Sequence, residues 1–376
     1  MTIANSGNKE IRGNNRVALA LSGGVDSAVA AFLLQQEGFD VSGVFMKTYE
    51  PPNSQSGECP WKEDQAMALR VAQHLKIPFV TWNFEREYDQ EVLGPFREGL
   101  AHNSTPNPDV SCNTQIKFGA FLKKAKNEGF NYIATGHYAQ TFFSVSDRIV
   151  SLSRGADANK DQTYFLCRLR NDQLSNALFP IGHLQKKLVR EIARKALLPN
   201  AERPDSQGIC FVGSVNMQAF IQSLLSKNPG KILDERGEEK GVHQGLHFYT
   251  IGQRYGIGLG GGGNAWYVAR KDQKTNSLIV VQGNDHPMLF RKRVIVNDVQ
   301  WVQQTKPSIQ KCLTQIRYRQ QPVETTLIEV NASQLALLFD EPQRAPTPGQ
   351  VVAFYEQNTC LGGAIITDCE LSDSSL

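Results

Sequence analysis

The sequence predicts an α/β fold: an N-terminal doubly wound parallel sheet, then a small central domain, then a C-terminal β domain. Three observations carry this. Short apolar runs at 17–21, 41–46, 79–84 and 133–135 alternate with stretches of helical period at 28–36 and 63–75, and strand–helix alternation builds a parallel sheet covered on both faces. Past Phe211 the alternation stops, and glycine and β-forming residues take over, most densely between 241 and 263. Beyond 293, short alternating runs at 294–302, 313–318, 325–330 and 351–355, separated by Asn, Pro and Gly, read as a small β-barrel or sandwich. The boundaries fall at 1–214, 215–290 and 291–376.

Each part rests on local signals. The run 17–21 ends in Ser22-Gly23-Gly24-Val25-Asp26-Ser27, and a helix follows, closed by Gly38. Two polar, proline-containing stretches, 49–60 and 102–113, are long enough to be functional loops. A chain of 376 residues, 40% of them hydrophobic, buries a sizeable core. Lysine and arginine number 40 against 37 acidic residues, a net charge of +3, so nothing in the bulk charge demands a nucleic-acid partner. No stretch approaches the roughly twenty apolar residues that span a bilayer, and residues 1–16 lack an apolar signal core. The expectation is a cytoplasmic protein with no membrane partner. Seven cysteines, an odd number with no CxxC pair among them, argue against a disulfide framework and a zinc ribbon.

The turn at 22–27 is the first chemical signal. A glycine-rich turn between a buried strand and a helix aims backbone N–H groups and the positive helix end at a phosphate chain. Ser22 and Ser27 supply hydroxyl donors, and Asp26 supplies a carboxylate for a magnesium ion bound with the nucleotide. The lysine of the GxxxxGK[ST] loop is missing, and so is GxGxxG. A plain tight turn needs the two glycines but not the flanking Ser, Asp and Ser.

The second signal is a thiol. In Thr105-Pro106-Asn107-Pro108-Asp109-Val110-Ser111-Cys112-Asn113 the cysteine follows a proline-stiffened turn and precedes a helical period at 116–126. A thiol at a helix N-terminus has a stabilised thiolate, with a pKa below the roughly 8.5 of free cysteine, which makes Cys112 a candidate nucleophile. Asp109 is placed to handle a proton, although its charge alone raises the thiol pKa. Cys210 sits between glycines in DSQGICFVG at 205–213. Two thiols suit sulfur insertion: one carries a persulfide and the other resolves it through a transient disulfide.

These motifs together resemble the bacterial-type tRNA-specific 2-thiouridylases of the PP-loop ATP pyrophosphatase superfamily. SGGVDS, FMK at 45–47, TPNPDVSCN with IKF at 116–118, ATGHYA at 134–139, KDQTYFL at 160–166, DSQGICF at 205–211 and YTIGQRYGIG at 249–258 occur in that family's order. The resemblance implies a PP-loop, adenine nucleotide α-hydrolase-like first domain and a C-terminal β-barrel. It implies ATP as substrate, with Mg2+, adenylating the 2-oxo group of the wobble uridine, position 34, of tRNAs for Lys, Glu and Gln. Sulfur then displaces AMP, delivered by a cysteine desulfurase or a sulfur-relay protein. Carried over by position, Ala20, Leu21, Ser22, Gly23, Gly24, Val25, Asp26, Ser27, Met46 and Gly136 bind ATP. Asn107, Pro108 and Asp109 contact the target base, Cys112 is the nucleophile and Cys210 carries the persulfide. His137, Lys160, Asp161, Gln162, Arg317, Tyr318 and Gln350 touch tRNA.

Read as residues alone, Asp161 is equally a cap for a turn holding Tyr164 and Phe165. Arg317-Tyr318-Arg319 interleaves cations with an aromatic, as backbone contact plus stacking requires, and is also what a solvated strand face looks like. Asn103-Ser104 stands where the family has Gly-Arg, and Ala28 where it has a second Ser. Two other functions share parts of this pattern. An amide-forming PP-loop synthetase needs the ATP loop but no thiol pair, and a nucleotide-sensing RNA-binding protein needs no thiol chemistry.

Overall fold

The computed structural model describes residues 15–50, 60–205, 217–260, 262–331 and 333–370. Cys59 and Cys210, with the rest of the second thiol motif beyond Asp205, lie outside the described residues.

The first domain is a five-stranded, all-parallel sheet. Its strands are β1 (Arg16–Ala20), β2 (Asp40–Lys47), β3 (Phe79–Asn83), β4 (Tyr132–Ala134) and a two-residue strand, Ala177–Leu178, in the order β3-β2-β1-β4 followed by that short strand. In β1 alternate side chains enter two different cores: Val17 and Leu19 face helix α1 (Val25–Gln36) on one side, Ala18 and Ala20 face Trp82 and Phe121 on the other. That two-sided burial is why the run is uniformly apolar. Sequence order reverses between β1 and β4, so the loop after β1 opens at the topological switch point, where α/β sheets bind ligands.

An antiparallel hairpin, β5 (Ala139–Ser144) with β6 (Ile149–Arg154), leaves this domain and pairs with the C-terminal one through Ser153↔Thr359 and Leu152↔Cys360. The central domain is a four-stranded sheet built from Gly230–Leu233, Glu239–His243, Trp266–Asp272 and Ser277–Gln282 around Ile232, Val268, Leu278 and Val280. At the C-terminus, strands Phe290–Trp301, Lys311–Gln315, Val323–Asn331, Gln334–Arg344, Val351–Glu356 and Thr359–Glu370 close into a six-stranded antiparallel barrel. Its first and last strands pair with each other through two register shifts, bends that let long strands serve two neighbours and close the sheet. A barrel, not a sandwich, is therefore formed. No helix among the described residues is long and apolar enough to cross a membrane.

Candidate active site

The turn after β1 is held by its own serines. Ser27 Oγ donates to the Gly24 carbonyl at 3.0 Å and lies 3.2 Å from Ser22 Oγ, while the Gly24 amide donates to Ser22 Oγ at 3.3 Å. Gly23 has φ +81°, and a Cβ there would lie 2.5 Å from the Asp64 backbone carbonyl oxygen, so glycine is required on both counts. Gly136 packs on the same turn: its Cβ would lie 2.7 Å from the Ser27 nitrogen. Leu21 and Met46 are buried, in the two cores on either face of the sheet.

Asp26 is the focus of the charge. Tyr138 Oη donates to its carboxylate at 2.7 Å, and Lys186 Nζ donates to both oxygens at 2.8 and 2.9 Å. Burial first, and the Asp26 charge second, push the Tyr138 phenol far up, so it acts as a donor. Lys186 also pairs with Asp205 at 2.8 Å, and Asp205 pairs with Lys160 at 2.7 Å and Arg190 at 2.6 Å. Burial by itself would raise the Asp205 carboxyl, but hydrogen bonds from Lys160 and Lys186, reinforced by their charges, hold it well below the usual range. Behind the turn Asn200 Nδ2 donates to the Gly23 carbonyl at 2.9 Å. Tyr138, Lys186, Arg190, Asn200 and Arg203 were not singled out in the sequence. The available signal was Lys186 and Arg190 at i and i+4 on helix Lys186–Lys195, one face of a short basic helix.

The thiol segment differs from its sequence reading in one respect. The helix begins at Pro108, not at 116: Asn107 caps it, its side chain accepting from the Val110 amide at 3.2 Å, and helical turns continue through Pro108–Ser111, Cys112–Ala120 and Phe121–Asn127. Proline at the first helical position fits this start. Cys112 therefore lies beyond the first turn, where the free N–H groups that stabilise a thiolate are absent. Asn107 and Asp109 occupy that first turn instead. Cys112 is fully buried, and it opens a nine-residue π-helical stretch, a geometry that recurs at functional sites. Beside it Asn113 Nδ2 donates to the Phe165 carbonyl at 3.3 Å, and Asn113 Oδ1 is buried with no hydrogen-bond partner. The nucleotide turn and this helix are linked through residues 136–138 and 162–165: the Tyr138 amide donates to Gln162 Oε1 at 3.0 Å, and the His137 ring lies tilted against Phe118 with centroids 5.9 Å apart.

Four of the residues expected from the sequence to touch tRNA also have partners within the protein. His137 is 8% exposed, with Nδ1 2.7 Å from Thr135 Oγ1, and burial first and nearby Lys117 second depress its pKa. It stays neutral and faces inward. Asp161 is buried and accepts from Arg154 Nη1 at 3.0 Å and the Gly155 amide at 2.9 Å, ordering the loop as a cap does. Arg317 Nη2 donates to the carbonyls of Ile251 at 2.9 Å and Ala345 at 2.6 Å, tying central domain to barrel. Gln350 Nε2 donates to the Thr105 carbonyl at 2.7 Å. Lys160, Gln162, Arg317, Tyr318 and Gln350 are all partly exposed; Lys160 pairs with Asp205 at 2.7 Å, and Tyr318 lies against Phe165 with ring centroids 4.4 Å apart.

A doubly wound sheet with a serine- and glycine-built anion turn at its switch point, carrying two further β domains, defines a nucleotide-binding α/β class of enzyme. Family models match in the same order: the tRNA methyl transferase HUP domain over residues 15–214, the tRNA methyl transferase PRC-barrel domain over 218–282 and the aminomethyltransferase beta-barrel domain over 291–366. The chain is 48% identical over 356 residues to the tRNA-specific 2-thiouridylase of Alkaliphilus oremlandii, covering 94% of this chain and 97% of that one. It is 46% identical to that of Shouchella clausii, with the same coverages, and 44% identical to that of Bacillus subtilis, covering 94% and 95%. The chain belongs to the tRNA-specific 2-thiouridylase family.

Proposed function

We propose that this protein is an ATP-dependent tRNA 2-thiouridylase acting on the wobble uridine, position 34, of tRNAs for Lys, Glu and Gln. The observation that carries this is likeness to 2-thiouridylases over nearly the whole chain, joined to a phosphate-type turn and a separate cysteine helix linked through residues 136–138 and 162–165.

In the first half-reaction the uridine 2-oxygen attacks the α-phosphorus of ATP, the bond from that phosphorus to the bridging oxygen breaks, and pyrophosphate leaves with the electron pair. Ala20 to Ser27, Met46 and Gly136 form the nucleotide site; Asn107, Pro108 and Asp109 receive the base, with Asp109 accepting the proton the base loses as its 2-oxygen attacks. A magnesium ion here would take Asp26 as its protein ligand and phosphate oxygens for the rest, a fit for an ion usually held by one or two carboxylates, and it would screen phosphate charge. In the second half-reaction the terminal sulfur of a Cys210 persulfide attacks C2 and AMP leaves. The Cys112 thiol then attacks the Cys210 sulfur, its proton passing to the departing sulfur of the base, releasing 2-thiouridine and a Cys112–Cys210 disulfide, which an external dithiol reduces. A cysteine desulfurase or relay protein reloads Cys210. Lys160, Gln162 and Tyr318 are the tRNA contacts retained in this reading, while Arg317 and Gln350 act by holding loops.

The test supplies protein, ATP, magnesium, a persulfide donor and tRNA with unmodified position 34, and follows nucleosides and nucleotides together. One 2-thiouridine, one AMP and one pyrophosphate per turnover are expected. AMP release with an amide product and no thiolated nucleoside would mean a different ligase.

A further inference from the structure

The nucleotide turn lacks the lysine that other phosphate loops use for the outer phosphates, and the structure supplies an ammonium from elsewhere in the chain. We propose that Lys186 binds the β- and γ-phosphates of ATP and neutralises the pyrophosphate as it departs.

Lys186 opens helix Lys186–Lys195, yet its Nζ reaches the turn 160 residues earlier, 2.8 Å from Asp26 Oδ1. Its side chain is 14% exposed. A lysine ammonium withdrawn this far from water demands charge partners, and Lys186 has two, Asp26 at 2.8 Å and Asp205 at 2.8 Å. Asp205 is in turn shared with Lys160 and Arg190. Asp157, which accepts from the Lys186 backbone amide at 2.9 Å, brings the cluster to three cations and three carboxylates beside a turn whose amides and serines suit an anion. Lys186 is the cation of this cluster that reaches the turn itself, through Asp26. A purely structural ion pair would not need the second carboxylate, nor a position at the mouth of the turn. When the Pα–O bond breaks, negative charge grows on the bridging oxygen and its β-phosphate, and an ammonium already fixed by Asp205 meets it without reorganising.

The proposal rests on reading the turn as the ATP site, and tRNA-dependent ATP–pyrophosphate exchange by the wild-type enzyme tests that reading first. If wild type shows no exchange, the ATP reading fails whatever Lys186 does. Given exchange, Lys186→Met is expected to raise the pyrophosphate KM and lower the exchange rate by roughly 10- to 100-fold each, as expected for loss of one charge-assisted hydrogen bond. Lys186→Arg should recover part of both. AMP affinity, which involves no outer phosphates, should stay within about threefold of wild type. Equal weakening of AMP and pyrophosphate, or unchanged exchange in the methionine variant, overturns the proposal. Should that variant not fold, acetylation of wild-type lysines decides: pyrophosphate, and not AMP, should protect Lys186, and identical labelling with either ligand overturns the assignment.

Discussion

Gln350, in the C-terminal barrel, donates its side-chain amide to the backbone carbonyl of Thr105, 2.7 Å away and 245 residues earlier in the chain. The Thr105 amide returns the contact by donating to the Pro348 carbonyl at 2.8 Å. Between them Gly349, at φ +91°, leaves no room for a side chain: a Cβ would sit 2.8 Å from the Thr105 nitrogen. The barrel thus holds the loop that leads into Asn107, Asp109 and Cys112.

Loosening that clamp should impair catalysis more than tRNA binding. Gln350→Ala is expected to lower the rate of 2-thiouridine formation about tenfold, the worth of one hydrogen bond near 1.4 kcal/mol, with the Kd for tRNA within about twofold. Gly349→Ala should cost about 1–3 kcal/mol of stability through backbone strain, read by urea denaturation. A raised tRNA Kd with an unchanged rate for Gln350→Ala would make it a direct RNA contact instead.

Asp26 receives both Tyr138 and Lys186. Asp26→Ala should abolish ATP–pyrophosphate exchange, by about a hundredfold or more, and also cost some stability, since it removes one of the two carboxylates that pair Lys186. Exchange assayed beside a thermal melt separates the two effects; retained exchange would remove Asp26 from the nucleotide site.

Acid should attack the ion cluster. Asp205 has its folded pKa held below its ordinary 3.8, so its contribution is fully present above that value and is lost as pH falls below it. Wild type should lose stability between about pH 4 and 2 more steeply than Asp205→Asn, as measured by chemical denaturation across that window. Equal slopes would show that the paired carboxylate does not differ between folded and unfolded chains.

A second titration runs the other way. Lys271 lines a cavity of about 440 Å³ between the domains, and its Nζ donates to the Asn103 carbonyl at 3.1 Å. Burial lowers its pKa from 10.5 to about 8. A base depressed by folding destabilises the protein below the folded pKa, and the penalty fades as pH rises through the unfolded one. Lys271→Met should therefore stabilise at pH 7 by about 2 kcal/mol, the desolvation gain less the lost hydrogen bond. The advantage should shrink by pH 10, and a pH-independent difference would contradict it.

The parallel sheet was legible because strands covered on both faces are uninterrupted apolar runs, and the turn at 22–27 because its serines and aspartate exceed what a turn needs. The start of the cysteine helix was misplaced: Pro106 and Pro108 read as a stiff turn, whereas Asn107 followed by Pro108 is also a cap and a first helical residue. The π-helical stretch at Cys112–Ala120 has no residue signature, since it differs only in which carbonyl each amide reaches. Hairpin β5–β6 escaped notice because its stabilising partner is strand Thr359–Glu370, far along the chain. Lys186 looked like any lysine on the wet face of a basic helix; only the fold brings it to Asp26. Arg317 and Gln350 carried the residue types of an RNA surface, and two of their carbonyl partners, Ile251 and Thr105, come from other domains.

The central claim is that one nucleotide site activates the uridine while two thiols deliver the sulfur. The direct measurement is 2-thiouridine formation and ATP–pyrophosphate exchange, assayed in parallel on wild type, Cys112→Ser and Cys210→Ser. Each serine variant should lose thiolation completely and keep exchange near the wild-type rate. Thiolation at full rate in either variant would contradict the account.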